Sequence, residues 1–474
     1  MIRFILNNRL IETKKPEGTV LLDFLRYEMH LMGTKSGCRE GDCGACTVLA
    51  GQLNKDGQVV YKSILSCLTP LINVAGLHIV TIEGINKEVI TPVQKVMVDN
   101  GATQCGFCTP GFIMSLTGYS ISENNPTYDK SKNAISGNIC RCTGYKSIEK
   151  AAGQLNEILE KKDTHHPLEW LIKENFLPEW FIDIPERLKK IKPESTNEKK
   201  GVIVGGGTDL FVQKARKLID TPINSVFNNK PELKTIICDS GKCFLGGAVT
   251  PSEIINNSTL KKSFPDLKTY FNLISSEPVR NMGTIAGNIV NASPIADLTI
   301  FFISQDANLH IKSDNGDKRL INLRDFYTGY KEFQLDESEI IEQISFDLPN
   351  ENTYFNFEKV SKRKHLDIAS VNSAMHLEVN NNKIEKVFLA TGGVFPYPFY
   401  ASKTCTFLEG KQPGESVLKE ALTIFSKEIK PISDIRGDKD YKSFLAEQLI
   451  IAHFTRFFPG VFSVASLLQQ RIKK

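Results

Sequence analysis

Eleven cysteines are the side chains in this 474-residue chain with the clearest capacity for chemistry. Eight of them lie between Cys38 and Cys142, whereas Cys238, Cys243 and Cys405 are scattered through the remainder. Thiolates bind zinc and iron–sulfur clusters, and disulfides are rare in a reducing compartment. The clustering therefore predicts metal sites in the N-terminal part of the chain.

The first four cysteines, Cys38, Cys43, Cys46 and Cys67, follow the spacing C-x4-C-x2-C with a fourth cysteine after twenty more residues. This is the spacing of plant-type [2Fe–2S] proteins. The loop is rich in glycine, so the backbone can wrap closely and direct its N–H groups at sulfur. Zinc is the alternative, but zinc knuckles usually come as two C-x2-C pairs on separate turns.

The second four cysteines are the pair Cys105 and Cys108 and, after thirty-one residues, the pair Cys140 and Cys142. Each pair precedes a segment predicted to be helical, so two helix N-termini would direct partial positive charge at an anionic cluster. The spacing alone also allows zinc or a redox dithiol. However, C-x-C is unusual for zinc, and the βαβ context of a thioredoxin-like motif is missing.

Two glycine-containing segments in the second half could bind a phosphate group. The predicted strand Val202–Val204 runs into Gly-Gly-Gly-Thr at 205–208, and N–H groups on such a turn can hold a pyrophosphate. A Rossmann fingerprint would require glycine at Leu210. The second segment, Arg-Asn-Met-Gly-Thr-Ile-Ala-Gly-Asn at 280–288, leads to Asp297. Alternatively, the glycines at 205–208 form a purely structural turn, and Asp297 caps a helix.

Local patterns predict individual elements. An Asp-Gly turn joins strands at Thr47–Leu53 and Val59–Leu65, and Thr91 followed by proline begins a helix. Apolar spacing predicts a helix at 23–32. Further helices are predicted at 110–116, 148–159 and 441–458, and further strands at 355–361, 374–379 and 384–391.

The composition, with 41% apolar and 24% charged residues and a net charge of +4, is ordinary for a globular protein. Acidic and basic residues are interspersed, so no strong nucleic-acid-binding field is expected. The N-terminus lacks the apolar stretch of a signal peptide, and runs such as 298–303 are far shorter than a membrane span. We therefore expect a cytoplasmic protein that binds neither nucleic acid nor membranes.

Two motifs carry a resemblance to a known family. Gln-Cys-Gly-Phe-Cys-Thr-Pro-Gly at 104–111 and Cys-Arg-Cys-Thr-Gly-Tyr at 140–145 resemble the iron–sulfur signatures of the molybdenum hydroxylases, which include xanthine dehydrogenases, aldehyde oxidases and carbon monoxide dehydrogenases. The resemblance implies an α+β multidomain fold. It consists of a plant-type [2Fe–2S] ferredoxin domain of β-grasp type at 1–85, a helical-bundle [2Fe–2S]-binding domain at 86–160, an α+β FAD-binding domain of the vanillyl-alcohol-oxidase/PCMH type at 201–350, and an α+β flavoprotein C-terminal domain at 351–474. Between the second and third domains, four prolines and a charged run at 197–200 indicate an interdomain linker at 161–200.

The resemblance also implies the cofactors, which are two [2Fe–2S] clusters and FAD, with molybdopterin in a partner subunit only. Each set of four cysteines would bind one cluster, with Gln104 toward the partner. An aspartate at the position of Asp297 would contact ribose or ribityl hydroxyls, and Lys359 would lie near the flavin. Ile274 stands where some relatives carry an aromatic that stacks on adenine. The implied FAD-binding residues are Ile203, Val204, Gly205, Gly206, Gly207, Thr208, Asp209, Leu210, Ile274, Thr284, Ile285, Ala286, Gly287, Asn288, Asp297, Ile344 and Lys359.

The domain order without a molybdenum domain resembles the small subunit of two-subunit xanthine dehydrogenases. The resemblance implies an α2β2 assembly in which a molybdenum subunit oxidises hypoxanthine or xanthine to urate. Electrons would enter at the second cysteine set, pass to the first, and reach FAD and then NAD+. One alternative is the same role in a hydroxylase acting on aldehydes or N-heterocycles. Another is a zinc-structured flavoprotein without electron-relay clusters.

Overall fold

The computed structural model describes residues 1–191, 201–228, 230–363 and 366–462. The chain divides into two compact units. Unit 1 consists of Met1–Lys230 and Ser275–Gly283, and unit 2 of Pro231–Ile274 and Thr284–Lys474. The predicted linker at 161–200 falls in unit 1, and its residues 192–200 lie outside the described part of the chain.

The strands and helices of the described residues are numbered here in chain order. The strands are β1 Ile2–Leu6, β2 Arg9–Thr13, β3 Thr47–Leu53, β4 Val59–Leu65, β5 His78–Val80, β6 Val202–Val204, β7 Ile223–Ser225, β8 Ile236–Asp239, β9 Lys242–Gly246, β10 Asn308–Ser313, β11 Lys318–Asn322, β12 Tyr327–Gly329, β13 Glu332–Phe333, β14 Glu339–Asp347, β15 Thr353–Val360, β16 Val371–Asn380, β17 Lys383–Gly392 and β18 Phe399–Tyr400. The α-helices are α1 Leu21–Asp23, α2 Ile82–Ile85, α3 Pro92–Asp99, α4 Thr109–Ser122, α5 Tyr128–Ala134, α6 Lys146–Leu159, α7 Pro167–Lys173, α8 Ile184–Lys189, α9 Leu210–Gln213, α10 Ala215–Ile219, α11 Pro251–Asn256, α12 Ser258–Ser263, α13 Leu267–Asn272, α14 Glu277–Arg280, α15 Ile285–Asn291, α16 Asp297–Ile303, α17 Ser402–Leu408, α18 Glu415–Glu428 and α19 Lys439–Phe457.

Unit 1 begins with a five-stranded sheet in the order β2-β1-β5-β3-β4. Strands β1 and β5 are parallel and the other neighbours are antiparallel. Ile2, Phe4 and Leu6 alternate along β1 and lie in a core with Leu21 and Leu25 of the short helical segment that follows β2. Both β3 and β4 have the predicted bounds, because the Asp-Gly turn between them fixes the hairpin register.

The helix predicted at 23–32 is shorter than expected. The helical segment begins with α1 and continues as a π-helical turn at Phe24–Glu28. His30 adopts a left-handed φ of 56°, and the N–H of Leu31 donates to the Leu25 carbonyl at 2.8 Å. The left-handed residue ends the helix, although the apolar spacing continues beyond it.

Helix α4 occupies the centre of the helical region of unit 1. Its residues from Gly111 to Ser120 are all buried, because one side packs on β3 and β4 and the other on α3 and α5. A helix buried on all sides carries mostly apolar or small residues, and the buried polar residues of this one are Ser115, Thr117 and Ser120. Helix α3 begins at Pro92 with Thr91 and Gln94 in a capping box, which confirms its predicted start.

The predicted linker contains ordered structure. Helices α7 and α8 and a 3₁₀ turn at Glu179–Asp183 occupy residues between 167 and 189. Phe176 and Phe181 are each 1% exposed, and the rings of Trp180 and Phe181 stack at 4.5 Å. The many prolines favoured a linker interpretation, but these aromatic side chains pack against the core of unit 1.

Unit 1 also contains the parallel pair β6 and β7, with β6 at the predicted bounds. Val204, Ile223 and Met282 pack in the same core as the first sheet. The compact unit therefore includes residues 201–230, which the sequence assigned to the flavin domain, because their apolar side chains complete the core of the preceding domain.

Unit 2 contains two sheets with helices. The first sheet is antiparallel in the order β11-β10-β14-β9-β8, and its core includes helices α11–α13, α15 and α16. The second sheet has the order β15-β16-β17-β18, and α17, α18 and α19 pack on it. Its first three strands and α19 confirm the elements predicted in this region. Within the described ranges, no helix combines the length and apolar character needed to cross a membrane.

His78, on β5, is a neutral core residue of unit 1. It is completely buried, with Trp180 and Phe181 against its ring. Its Nε2 lies 2.9 Å from the carbonyl of Asn7, so Nε2 carries the proton, and Nδ1 accepts from the Tyr61 hydroxyl at 2.7 Å. Burial lowers the pKa of His78 to about 3.

We therefore expect His78 to make unit 1 sensitive to acid. The unfolded chain takes up a proton on His78 below about pH 6.5 and the folded chain does not until about pH 3, so stability is lost as pH falls through this range. The loss from this residue at pH 5 is roughly 2 kcal/mol. The free energy of unfolding, measured with urea, should fall between pH 7 and pH 5 in the wild type. In His78→Gln this fall should be smaller by roughly 2 kcal/mol.

Tryptophan fluorescence measures this effect in unit 1, since Trp170 and Trp180 are the two tryptophans of the sequence. The exposed residue His30 in the same unit gives the matched control His30→Gln, which should leave the pH dependence of the wild type unchanged. An equal pH dependence in the wild type and His78→Gln would contradict the assignment.

Candidate functional site

The first cysteine set lies in the loop before β3 and in a 3₁₀ turn at Ser66–Leu68. Cys46 and Cys67 are buried, whereas Cys38 and Cys43 are partly exposed. The N–H groups of Glu40 and Cys43 donate to the Cys38 sulfur at 3.3 and 3.4 Å. The Cys43 thiol and these amides lower the pKa of Cys38 to about 5, which favours the thiolate that a metal requires.

The first cysteine loop is bound directly to the second. The N–H of Ile139, which precedes Cys140, donates to the Cys43 carbonyl at 2.9 Å, and the Asn138 amide donates to the Gly44 carbonyl at 3.1 Å. Gly44 has a φ of 65°, and a Cβ there would lie 2.4 Å from the Gly137 carbonyl oxygen. Glycine is therefore required where the two loops meet.

The second cysteine set lies at the start of two helices, as the sequence predicted. Cys108 is the N-cap of α4, and Cys142 lies four residues before α6. Cys105 and Cys142 are exposed, with their sulfur atoms 3.6 Å apart, whereas Cys140 is buried. The Thr143 hydroxyl donates to the Cys140 sulfur at 3.2 Å. This set therefore has one pair of sulfur atoms at the surface of unit 1.

The thiols of each set interact as two pairs. The Cys105 and Cys142 sulfur atoms are 3.6 Å apart. The Cys43 thiol lowers the pKa of Cys38, the Cys67 thiol lowers the pKa of Cys46, and burial, together with the Cys140 thiol, raises the pKa of Cys108. Among the described residues, no three His, Cys, Asp or Glu side chains converge on a single-ion site. Two pairs of thiolates suit a two-iron cluster, since each iron takes two of the four ligands, whereas tetrahedral zinc needs all four around one point.

The turn at 205–208 offers backbone donors to a ligand. Gly206 and Gly207 are buried, and the N–H groups of Gly206, Gly207 and Thr208 donate to no acceptor in the described chain. A Cβ on Gly206 would lie 1.8 Å from the Met282 carbonyl oxygen, so glycine is required there. The Asn73 amide holds the turn by donating to the Gly205 carbonyl at 2.9 Å. Buried amides without partners indicate an anionic ligand such as a pyrophosphate.

The segment Thr284–Asn288 differs from this turn, because its amides bond within unit 2. The Ile285 and Ala286 N–H groups donate to the carbonyls of Val249 and Gly247 at 3.0 Å. The Gly287 N–H donates to the Thr284 hydroxyl at 3.1 Å, and the Asn288 N–H to the Thr284 carbonyl. The backbone N–H groups of residues 285–288 are therefore already hydrogen-bonded within the protein and are not available to a pyrophosphate. The contribution of this segment to a ligand would come from side chains and close backbone approach.

Asp297 is the centre of a polar cluster in unit 2. One carboxylate oxygen accepts from Asn372, and the other lies 2.7 Å from the ammonium of Lys359. The Lys359 side chain is 2% exposed and also donates to the Leu273 carbonyl. The Oδ1 of Asn372 is buried and accepts no hydrogen bond from the described residues. An acceptor without a donor beside a fixed carboxylate fits a ligand rich in hydroxyl groups.

Two other predicted flavin contacts lie in the apolar core of unit 2. Ile344 is completely buried at the centre of β14, so the structure gives its side chain a packing role in the core. Ile274 is 6% exposed and belongs to the same core. The contacts predicted for these residues stay predictions. So do Ile203, Val204, Asp209 and Leu210, which flank the turn at 205–208.

Several residues that position the site were not predicted from the sequence. Asn73 holds the turn at 205–208, Asn138 joins the two cysteine loops, and Asn372 orients Asp297. A buried asparagine usually satisfies backbone or charged groups, so an asparagine inside an otherwise apolar segment is the available signal. Asn138, between glycine and the isoleucine before Cys140, carried that signal.

Known protein families match the chain in the same order as the predicted domains. Four families match consecutive parts of the chain. They are the 2Fe-2S iron-sulfur cluster binding domain at residues 4–71, the [2Fe-2S] binding domain at 81–153, the FAD binding domain in molybdopterin dehydrogenase at 184–349, and the CO dehydrogenase flavoprotein C-terminal domain at 357–457.

Curated relatives match across most of the chain. Xanthine dehydrogenase 1 of Arabidopsis thaliana is 27% identical over 94% of this chain and 38% of its own length. Xanthine dehydrogenase of Emericella nidulans is 29% identical over 87% of this chain and 35% of its own length. This chain thus spans less than two fifths of these relatives. A solved carbon monoxide dehydrogenase chain from Hydrogenophaga pseudoflava, 24% identical with a TM-score of 0.50, covers 52% of this chain and 86% of its own, and shows similarity of fold.

The cysteine assignments predict the metal content of variants. Cys142→Ser removes an exposed ligand of the second set, so the fold should persist while bound iron falls from about four to about two atoms per chain. One of two EPR signals from reduced clusters should disappear. Metal analysis and EPR on anaerobically purified protein measure both effects.

Cys405→Ser is the matched control, since Cys405 is a buried cysteine outside both sets, and its iron content should equal that of the wild type. Zinc in place of iron, or an unchanged iron content in Cys142→Ser, would contradict the assignment.

The Asp297–Lys359 pair predicts a measurable loss of stability. Lys359→Met leaves a largely buried carboxylate without its cation, which should cost unit 2 about 3 kcal/mol. Adding Asp297→Asn should restore at least about 1 kcal/mol, because the unpaired charge is removed. Hydrogen exchange of amides in β15 and β16 measures the change.

Lys318 pairs with Glu342 in the same unit but is 64% exposed, so Lys318→Met should cost less than about 1 kcal/mol. An equal cost for Lys318→Met and Lys359→Met would refute the buried pair.

Proposed function

We propose that this chain, which has the four domains of the iron–sulfur and FAD subunits of molybdenum hydroxylases, is the electron-transfer subunit of a xanthine dehydrogenase-type enzyme. Its partner would be a subunit with the molybdenum cofactor that oxidises hypoxanthine or xanthine to urate. The acceptor would be NAD+, and the assembly would contain two copies of each subunit. The named relatives that match most of this chain are xanthine dehydrogenases, and this supports the choice of substrate.

The observation that carries the electron-transfer role is the direct connection of the two cysteine sets in unit 1. The N–H of Ile139, adjacent to Cys140, donates to the carbonyl of Cys43. Bound iron–sulfur clusters transfer single electrons, and bound FAD collects two and can deliver a hydride to a nicotinamide. The protein's task is to hold such groups at fixed separation, and this hydrogen bond fixes the two loops relative to each other.

The two sets differ in their access to water and to a partner. Cys46 and Cys67 are buried, so the first set is shielded by the protein. Cys105 and Cys142 are exposed, and Gln104 and Phe107 beside them are exposed as well. The second set is therefore the one that a partner subunit could approach. This arrangement supports the proposed order, in which electrons from the partner reach the second set first.

The residues proposed to bind FAD offer two kinds of group, each described within its own unit. In unit 1, the amides of Gly206, Gly207 and Thr208 are available to oxygen atoms of a pyrophosphate. In unit 2, Asp297 is fixed by Lys359 and Asn372, so its remaining lone pairs can accept from hydroxyl groups. The ammonium of Lys359 neutralises Asp297, so its role at the site is to position the carboxylate.

The complex with its molybdenum partner tests the proposal. Xanthine should support NADH formation, and an aldehyde or quinoline should be a much poorer substrate. Cys105→Ser should reduce xanthine-dependent NADH formation at least about a hundredfold, because the second set loses a ligand, while equilibrium binding of xanthine stays the same. The expected effect corresponds to more than about 2.7 kcal/mol.

Two further measurements separate the parts of the proposal. NADH oxidation with ferricyanide should persist within about twofold in Cys105→Ser, since the residues proposed for FAD are unchanged. Cys405→Ser should match the wild type in both assays. Undiminished NADH formation in Cys105→Ser would refute the electron route, and preference for an aldehyde or quinoline would refute the purine substrate.

A further inference from the structure

Cys238 and Cys243 form a pair of neighbouring thiols on a hairpin of unit 2. The strands β8 and β9 are joined by Ser240 and Gly241, whose φ angles of 49° and 78° are those of a type I′ turn. Asp239 pairs with Lys242, and the next pair along the strands is Cys238 with Cys243. The two sulfur atoms are 2.8 Å apart and both cysteines are free thiols.

The backbone at this pair suits a disulfide. The pair that closes a two-residue hairpin is hydrogen-bonded, and hydrogen-bonded and non-hydrogen-bonded pairs alternate along the strands. Cys238 and Cys243 therefore form a non-hydrogen-bonded pair, in which the Cα atoms are typically about 4.5 Å apart. Disulfides need Cα atoms roughly 4.4–6.8 Å apart, so the bond can form without separating the strands.

The two thiols differ in exposure in a way that suits stepwise oxidation. Strand β8 is at the edge of the sheet, and Cys238 on it is partly exposed. Cys243, on the adjacent inner strand, is 0% exposed. A reagent in solution therefore meets Cys238 first, and Cys243 is placed to resolve the product. An accessible thiol beside a resolving thiol is the arrangement of redox-sensitive cysteines.

We propose that Cys238 and Cys243 are a reversible dithiol–disulfide site that a low-molecular-weight disulfide, such as oxidised glutathione, can oxidise. The Cys238 thiolate attacks the reagent's S–S bond, forms a mixed disulfide and releases one reduced thiol. The Cys243 sulfur, on losing its proton, then attacks Cys238 Sγ and releases the second thiol. The protein loses two electrons and two protons, and the reagent's S–S bond takes up both as two thiols.

Trypsin makes the linkage directly detectable, because it cleaves after Lys242, between the two cysteines. The full-length protein is equilibrated anaerobically in glutathione buffers of increasing oxidised fraction, alkylated under denaturing conditions and digested. Peptides 235–242 and 243–261 should be joined in more than half of the chains in the most oxidising buffer, and should separate on reduction. The proposal would be overturned if both cysteines were fully alkylated in the most oxidising buffer. It would also be overturned if glutathione were found on Cys238 but no joined peptides were detected.

Two variants test the assignment of roles. In Cys243→Ser the joined peptides should disappear, and at least half of the chains should keep glutathione on Cys238, since no resolving thiol remains. Cys405→Ser should give the wild-type fraction of joined peptides. If Cys243→Ser accumulates no glutathione at Cys238, the proposed order of attack is wrong. The joined peptides are specific to this pair, so oxidation of the eight N-terminal cysteines does not interfere.

Discussion

The junction of two cysteine loops that are distant in sequence is the constraint on which much of unit 1 depends. The Ile139 N–H reaches the Cys43 carbonyl, and Asn138 reaches Gly44. Such contacts require small residues at the junction, which is why a Cβ on Gly44 or on Gly111 of α4 would strike backbone. Helix α4, which carries Gly111, is buried on all sides because it packs between the sheet and the other helices.

Backbone donors decide which glycine-rich segment can bind an anion. The turn at 205–208 and the segment at 283–288 look alike in sequence, because both combine glycine with threonine. In the structure the amides of Gly206, Gly207 and Thr208 are free of acceptors in the described chain, whereas those of 285–288 already donate to carbonyl or hydroxyl oxygens. A site for phosphate oxygens needs donors that the fold leaves without partners.

The sequence predicted most elements whose causes are local. Strands β3, β4 and β6 have the predicted bounds, and α3 begins at its proline, because turns and caps depend on a few adjacent residues. The helix expected at 23–32 ends early because His30 takes a left-handed conformation that apolar spacing does not reveal. Residues 167–189 pack within unit 1 through aromatic side chains, which the prolines of this segment do not reveal.

The sequence by itself determined the donors, namely two sets of four thiols and two glycine-rich segments, because ligand type and spacing are covalent properties of the chain. Only the tertiary structure decided how these donors are used. It brought the Cys105 and Cys142 thiols together, fixed Asp297 between Lys359 and Asn372, and placed Cys238 against Cys243. Hydrogen bonds and burial depend on residues that are far apart in sequence, so folding alone assigns them.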